Sequence, residues 1–177
     1  MNLSNFLTIS RIIITPLICA LILSDNYIFA LYSFIFASLT DFFDGFIARK
    51  SNKVTNSGKI LDPISDKILA FSILSCFVKM KMLNIWAFII LLSRDFIISS
   101  LRIILAKNDI VYEANTLGKL KTVFQFLFIF ILLLSNGNKM NFIFFSEFFV
   151  WISVILSIIS LISCIIDNKS ILLKEFR

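Results

Sequence analysis

Apolar runs close to twenty residues long dominate this chain, and they fix its solvent before anything else. FFVWISVILSIISLISCII, in the last third, carries no charge, and NYIFALYSFIFASLT is uncharged up to Asp41. A helix needs about 20 apolar residues to cross a bilayer. The 177 residues are 59% hydrophobic and 16% charged, against about 45–50% apolar and about 25% charged in an ordinary soluble domain. A soluble chain of this length could not bury so much apolar surface, so lipid is the expected solvent. A lone strand in lipid leaves its backbone unpaired, so the runs are expected to be helices.

Six spans can be placed, near 6–24, 27–48, 60–78, 83–106, 120–136 and 142–166. Together they predict an all-α, polytopic bundle of six transmembrane helices forming a single domain over 1–177. The Lys and Arg residues set its orientation. With the N-terminus inside, all but Lys79, Lys81 and Lys139 of the 17 Lys and Arg residues fall on the cytoplasmic side, Arg11 at the entry of the first span among them. That bias predicts both termini in the cytoplasm and a working face on the cytoplasmic side. The first segment shows neither a Lys/Arg-rich leader nor an A-x-A cleavage site, and is expected to be a retained span.

A net charge of +6 in a soluble protein would point to nucleic acid. Here the basic residues sit between apolar runs, where topology and anionic headgroups account for them, and no nucleic-acid partner is expected. Cys19, Cys76 and Cys164 lie inside apolar runs without metal-ligand spacing and read as small packing residues. Trp86 and Trp151 read as interfacial or packing residues. FQFLFIFILLL reads as lipid-facing filler.

The costly feature is DFFDGFIARKSNKVTNSGKILDPISDK, residues 41–67, with four aspartates beside hydrocarbon. On a helix, Asp41, Asp44, Gly45 and Ala48 share one face, and so do Gly58, Asp62 and Asp66. Two antiparallel neighbours can bring the faces together. Four carboxylates cannot all ionise in one partly desolvated site unless some are protonated or cations neutralise them. Oxygen ligands without His or Cys select Mg²⁺, Mn²⁺ or Ca²⁺ over zinc, and paired divalent ions suit displacement at phosphorus. The chain has no histidine, so a carboxylate is the natural general base. Gly45 and Ala48 leave room for a flat nucleotide, or else only for close helix packing. An acidic cation pathway is the alternative from another class, that of a small channel or transporter. Against it, the acids gather at one end of the spans.

The pattern D-x2-D-G-x2-A-R-x8-G-x3-D-x3-D is complete in Asp41, Asp44, Gly45, Ala48, Arg49, Gly58, Asp62 and Asp66. It resembles the signature of the CDP-alcohol phosphatidyltransferases. At roughly 5–7% per residue type, eight fixed matches arise by chance on the order of once in 10¹⁰ starting positions. The resemblance implies that Asp41, Asp44, Asp62 and Asp66 hold two divalent cations, Mg²⁺ or Mn²⁺, and that Asp66 is also the general base. It places the CDP part of a CDP-linked lipid against Gly45, Ala48, Arg49, Thr55 and Gly58, with help from Asn5 and Thr8. The family tends to form dimers, so a homodimer is an open expectation. A bacterial-type cytoplasmic membrane is the expected location.

Within the family, NLSNFLTISRIIITP, SRDFIISSLR and GKLKTVFQ are similar to the phosphatidylglycerophosphate synthases. Asp95 departs from them by shortening an expected Glu. That branch implies transfer from CDP-diacylglycerol to glycerol 3-phosphate, with CMP leaving. The residues agree with a phosphorylated acceptor. Arg94 and Arg102 are costly cations within a span, and Lys119 and Lys121 open the next one. Together they could hold a dianionic phosphate, the arginines by bidentate bonds; snorkelling and topology would place similar charges. Another acceptor, inositol phosphate or serine, is the alternative within the family.

Overall fold

The computed structural model describes residues 3–51, 56–107, 116–137 and 143–169, with side chains described over 9–40, 64–103, 105, 116–137 and 145–169. The described residues form six α-helices: α1 (Leu3–Leu23), α2 (Tyr27–Ser51), α3 (Asn56–Lys79), α4 (Ile85–Lys107), α5 (Thr116–Gly137) and α6 (Ile143–Asp167). The expected all-α class is what is found, and each helix overlays one expected span. α3 and α5 shift most, each starting about a turn before the expected 60 and 120, so Gly58 and Gly118 are helical instead of part of a polar connection.

Helix ends follow local chemistry. After α1, the Asp25 amide donates to the Ile22 carbonyl at 3.1 Å and the Asn26 amide to Leu21 at 2.9 Å. After α3, Lys81 repeats the arrangement with Val78, and Met82 with Phe77. Both are αL caps, with φ 59° at Asp25 and 60° at Lys81. The Asn84 side chain accepts from the Trp86 amide at 2.8 Å, an N-cap that starts α4 just past the expected 83.

The residues gather into two compact units. The first holds 1–82 and 129–143; the second holds 83–128 and 144–177. In the first unit α1 packs against both α2 and α3. Ala30, Phe34 and Ala37 of α2 are buried at helical spacing, the small residues allowing close approach. In α3, Leu69, Ala70, Ile73, Leu74, Cys76 and Phe77 are all buried. So wide a buried face makes α3 an interior helix. In the second unit Ile98 and Leu101 of α4 pack with Leu161 and Cys164 of α6.

Many outward-facing residues are large and apolar. Phe29, Tyr32, Phe36, Trp86, Phe96, Ile103 and Ile166 are exposed, and α5 and α6 are each long and apolar enough to cross a membrane. Bare apolar helix faces of this kind belong to a membrane protein. The Phe-rich stretch of α5 corrects one expectation. Phe128, Ile129, Leu132 and Leu133 are buried, so half of it is core and not filler against lipid.

Candidate active site

The backbone of the acidic segment is helical on both sides of residues 52–55. Asp41, Asp44, Gly45, Ala48 and Arg49 lie in α2; Gly58, Asp62 and Asp66 lie in α3. The one-turn spacing expected within each group therefore holds at the backbone. Asn5 and Thr8 lie in α1. Their side chains, like those of the α2 group, Gly58 and Asp62, lie outside the described residues, as does Thr55 altogether.

Asp66 is the motif aspartate whose side chain is described. Its Oδ1 accepts from Arg11 Nη1 at 2.7 Å, and the same nitrogen donates to Ser65 Oγ at 2.8 Å. The guanidinium side chain is 1% exposed and the carboxylate side chain 41%. Ser65 is fully buried. Arg11 is thus a buried cation of α1 held against the acid of α3, and the expectation that it merely marks the entry of the first span is incomplete. The charge needs such a partner, since an unpaired buried cation costs several kcal/mol.

The second unit carries its own buried polar group. Asp95 bridges two cations: Oδ1 accepts from Arg94 Nη1 at 2.9 Å, and Oδ2 from Lys121 Nζ at 2.8 Å. Arg94 Nη2 also donates to Ser160 Oγ at 2.6 Å, and Ser153 Oγ donates to the Lys121 carbonyl at 3.2 Å. Gly118 makes room for this group. A methyl in its place would stand 3.1 Å from Arg94 Nη2 and 3.5 Å from Ser160 Oγ. Arg94 and Lys121 are buried, whereas Arg102 and Lys119 are exposed. The four expected phosphate ligands therefore divide into a pair fixed by Asp95 and an outward pair. The shorter Asp95 still reaches both cations.

Residues 1–159 match the CDP-alcohol phosphatidyltransferase family. The chain belongs to this family. Among its relatives is a CDP-diacylglycerol–glycerol-3-phosphate 3-phosphatidyltransferase of Aquifex aeolicus, 37% identical over 100% of this chain and 97% of that one. The protein of that name from Rickettsia typhi is 38% identical over 90% of this chain and 92% of its own. The one from Bacillus subtilis is 34% identical over 90% and 91%.

Sequence reasoning missed the buried polar side of α6. Ser146, Ser153, Ser157 and Ser160 are all buried, at the spacing of one helix face. Within a run read only as apolar span, that serine stripe was the available signal. Gln125 was missed as well. Arg94 Nε, Gln125 Nε2 and Ser157 Oγ are buried without a hydrogen-bond partner among the described residues.

The donor set of the acidic segment suits a hard divalent cation. It offers carboxylate oxygens at one-turn spacing on two helices, and Asp66 stays partly open. Asp41, Asp44, Asp62 and Asp66 are the residues that would hold it.

Proposed function

We propose that the chain transfers the phosphatidyl group of CDP-diacylglycerol to sn-glycerol 3-phosphate, releasing phosphatidylglycerophosphate and CMP. One observation carries the reading: relatives bearing the name of that reaction align with nine tenths or more of the chain. The family membership and the complete aspartate signature support the reaction class.

Asp41, Asp44, Asp62 and Asp66 hold two divalent cations, Mg²⁺ or Mn²⁺. When bound, these neutralise the pyrophosphate and stabilise charge on the entering and leaving oxygens. Asn5, Thr8, Gly45, Ala48, Arg49, Thr55 and Gly58 seat the CDP moiety, the small residues letting it approach the helix backbone. Asp66 takes the proton of the acceptor hydroxyl. The acceptor oxygen bonds to the lipid-side phosphorus, the bond from that phosphorus to the CMP oxygen breaks, and CMP leaves as the anion.

Arg94, Arg102, Lys119 and Lys121 hold the acceptor's phosphate. Asp95 neutralises only part of the Arg94 and Lys121 charge, and the buried Arg94 Nε still lacks an acceptor among the described residues. Both features suit an anionic ligand that completes the bonding. Glycerol 3-phosphate supplies a dianionic phosphate, as inositol phosphate would; serine offers only a singly charged carboxylate.

The six helices span a bacterial-type cytoplasmic membrane as one domain over 1–177, with both termini and the active site on the cytoplasmic side. The distribution of Lys and Arg supports that orientation. A homodimer is proposed from the family resemblance alone.

An acceptor panel tests the reading. Membranes containing the protein are given labelled CDP-diacylglycerol with glycerol 3-phosphate, inositol phosphate or serine. CMP release with glycerol 3-phosphate alone is expected. Release with another alcohol alone would reassign the acceptor, and release with none would favour an ion pathway.

A further inference from the structure

We infer that Arg11 is a positioning residue for Asp66, fixing the carboxylate from a neighbouring helix while leaving the acid open for its work. The inference rests on the role given to Asp66 under the proposed function. Three features carry it.

First, a single nitrogen, Arg11 Nη1, holds both Ser65 Oγ and Asp66 Oδ1, at 2.8 and 2.7 Å. Adjacent residues on one turn of α3 are thereby tied to one point of α1, which restricts how Asp66 can turn. Second, the pair is lopsided. The guanidinium side chain is 1% exposed and the carboxylate side chain 41%. Enclosing both charges would strengthen their attraction but also cost more desolvation. Here the holder is enclosed and the acid is accessible. Third, the helix that carries the holder packs along α3. Thr8 and Asn5 precede Arg11 by about one and two turns of the same helix. The bond therefore sets the helix that carries the nucleotide-seating residues in register with the acid. Partners that orient a ligating carboxylate are worth roughly 10–100-fold in metal affinity or activity.

The test uses the full chain purified in lipid–detergent micelles, with Arg11→Lys and Ser65→Ala. Lysine keeps the charge but ends in a single nitrogen on a shorter side chain, displaced from the position of Arg11 Nη1; alanine removes one of the two acceptors. Thermal melting, kcat and KM for CDP-dioleoylglycerol, and Mn²⁺ titration followed by electron paramagnetic resonance are measured together. Arg11→Lys is expected to lower kcat roughly 10–100-fold, keep KM within about threefold, and weaken Mn²⁺ binding about threefold or more. Ser65→Ala should move kcat and Mn²⁺ binding the same way by less. Undiminished kcat in both variants overturns the inference. So does a kcat loss equal to the lost folded fraction with Mn²⁺ binding unchanged. Should Arg11→Lys not fold, Ser65→Ala decides by the same criteria. Should the unaltered protein release no CMP, the proposed function falls, and the Mn²⁺ comparison alone decides the inference.

Discussion

Asp95 touches two cations, one through each oxygen, and both cations lie in helices that must pack within the second unit. Replacing it by Asn leaves Arg94 and Lys121 without that counter-charge. Loss of one partner from a buried ion group costs roughly 3 kcal/mol or more. Asp95→Asn is therefore expected to lower the melting temperature of the purified protein and to raise KM for glycerol 3-phosphate. Asp95→Glu keeps the charge and should preserve most of both. An unchanged melting curve in Asp95→Asn would mean that the bridge contributes no stability. Arg11 makes the complementary point in the first unit. A cation inside an apolar run is costly wherever it lies, which was reason enough to suspect a partner. The partner could not be read from the sequence, because Asp66 lies 55 positions away and no spacing rule connects α1 to α3.

Among elements, α5 and α6 show what apolar runs conceal. Their length and composition foretold helices, and helices they are. Which face turns inward depended on small polar residues scattered through the runs. Ser146, Ser153, Ser157 and Ser160 repeat at helical spacing, so the stripe was legible in principle. Gln125 gave no such pattern. The inward side of the Phe-rich stretch was not legible either, since a run apolar on every face has no periodic contrast. A Cβ at Gly118 would stand 3.1 Å from Arg94 Nη2 and 3.5 Å from Ser160 Oγ. Gly118→Val forces a branched side chain into that space, and overpacking costs typically about 1–3 kcal/mol. If the strain falls on Arg94, KM for glycerol 3-phosphate should rise about tenfold or more, 1.4 kcal/mol being one decade. KM for CDP-diacylglycerol should hardly change. Equal rises in both would show that the strain spreads beyond the basic group.

At the scale of the molecule, two buried ion groups stand out among the described residues. One is Arg11 with Ser65 and Asp66; the other is Arg94, Asp95 and Lys121 with Ser153 and Ser160. The helical backbone at the eight signature positions was legible, because one-turn spacing on a helix is visible in sequence. The basic group was legible as charges out of place in a span. Its division into a pair fixed by Asp95 and an outward pair depends on contacts among three helices, which the sequence does not encode locally. The expected six helices needed only run length and the exclusion of strands by lipid.

Divalent-dependent transfer of a phosphatidyl group to glycerol 3-phosphate, by the aspartates of α2 and α3, can be followed by mass spectrometry of the products formed by the purified, unaltered chain. CDP-dioleoylglycerol and glycerol 3-phosphate are supplied first with Mg²⁺, then with excess chelator, then with Mg²⁺ restored. Phosphatidylglycerophosphate and CMP should form in equal amounts, cease under chelation and resume when Mg²⁺ returns. Undiminished product in excess chelator, or no phosphatidylglycerophosphate at any stage, would contradict the account.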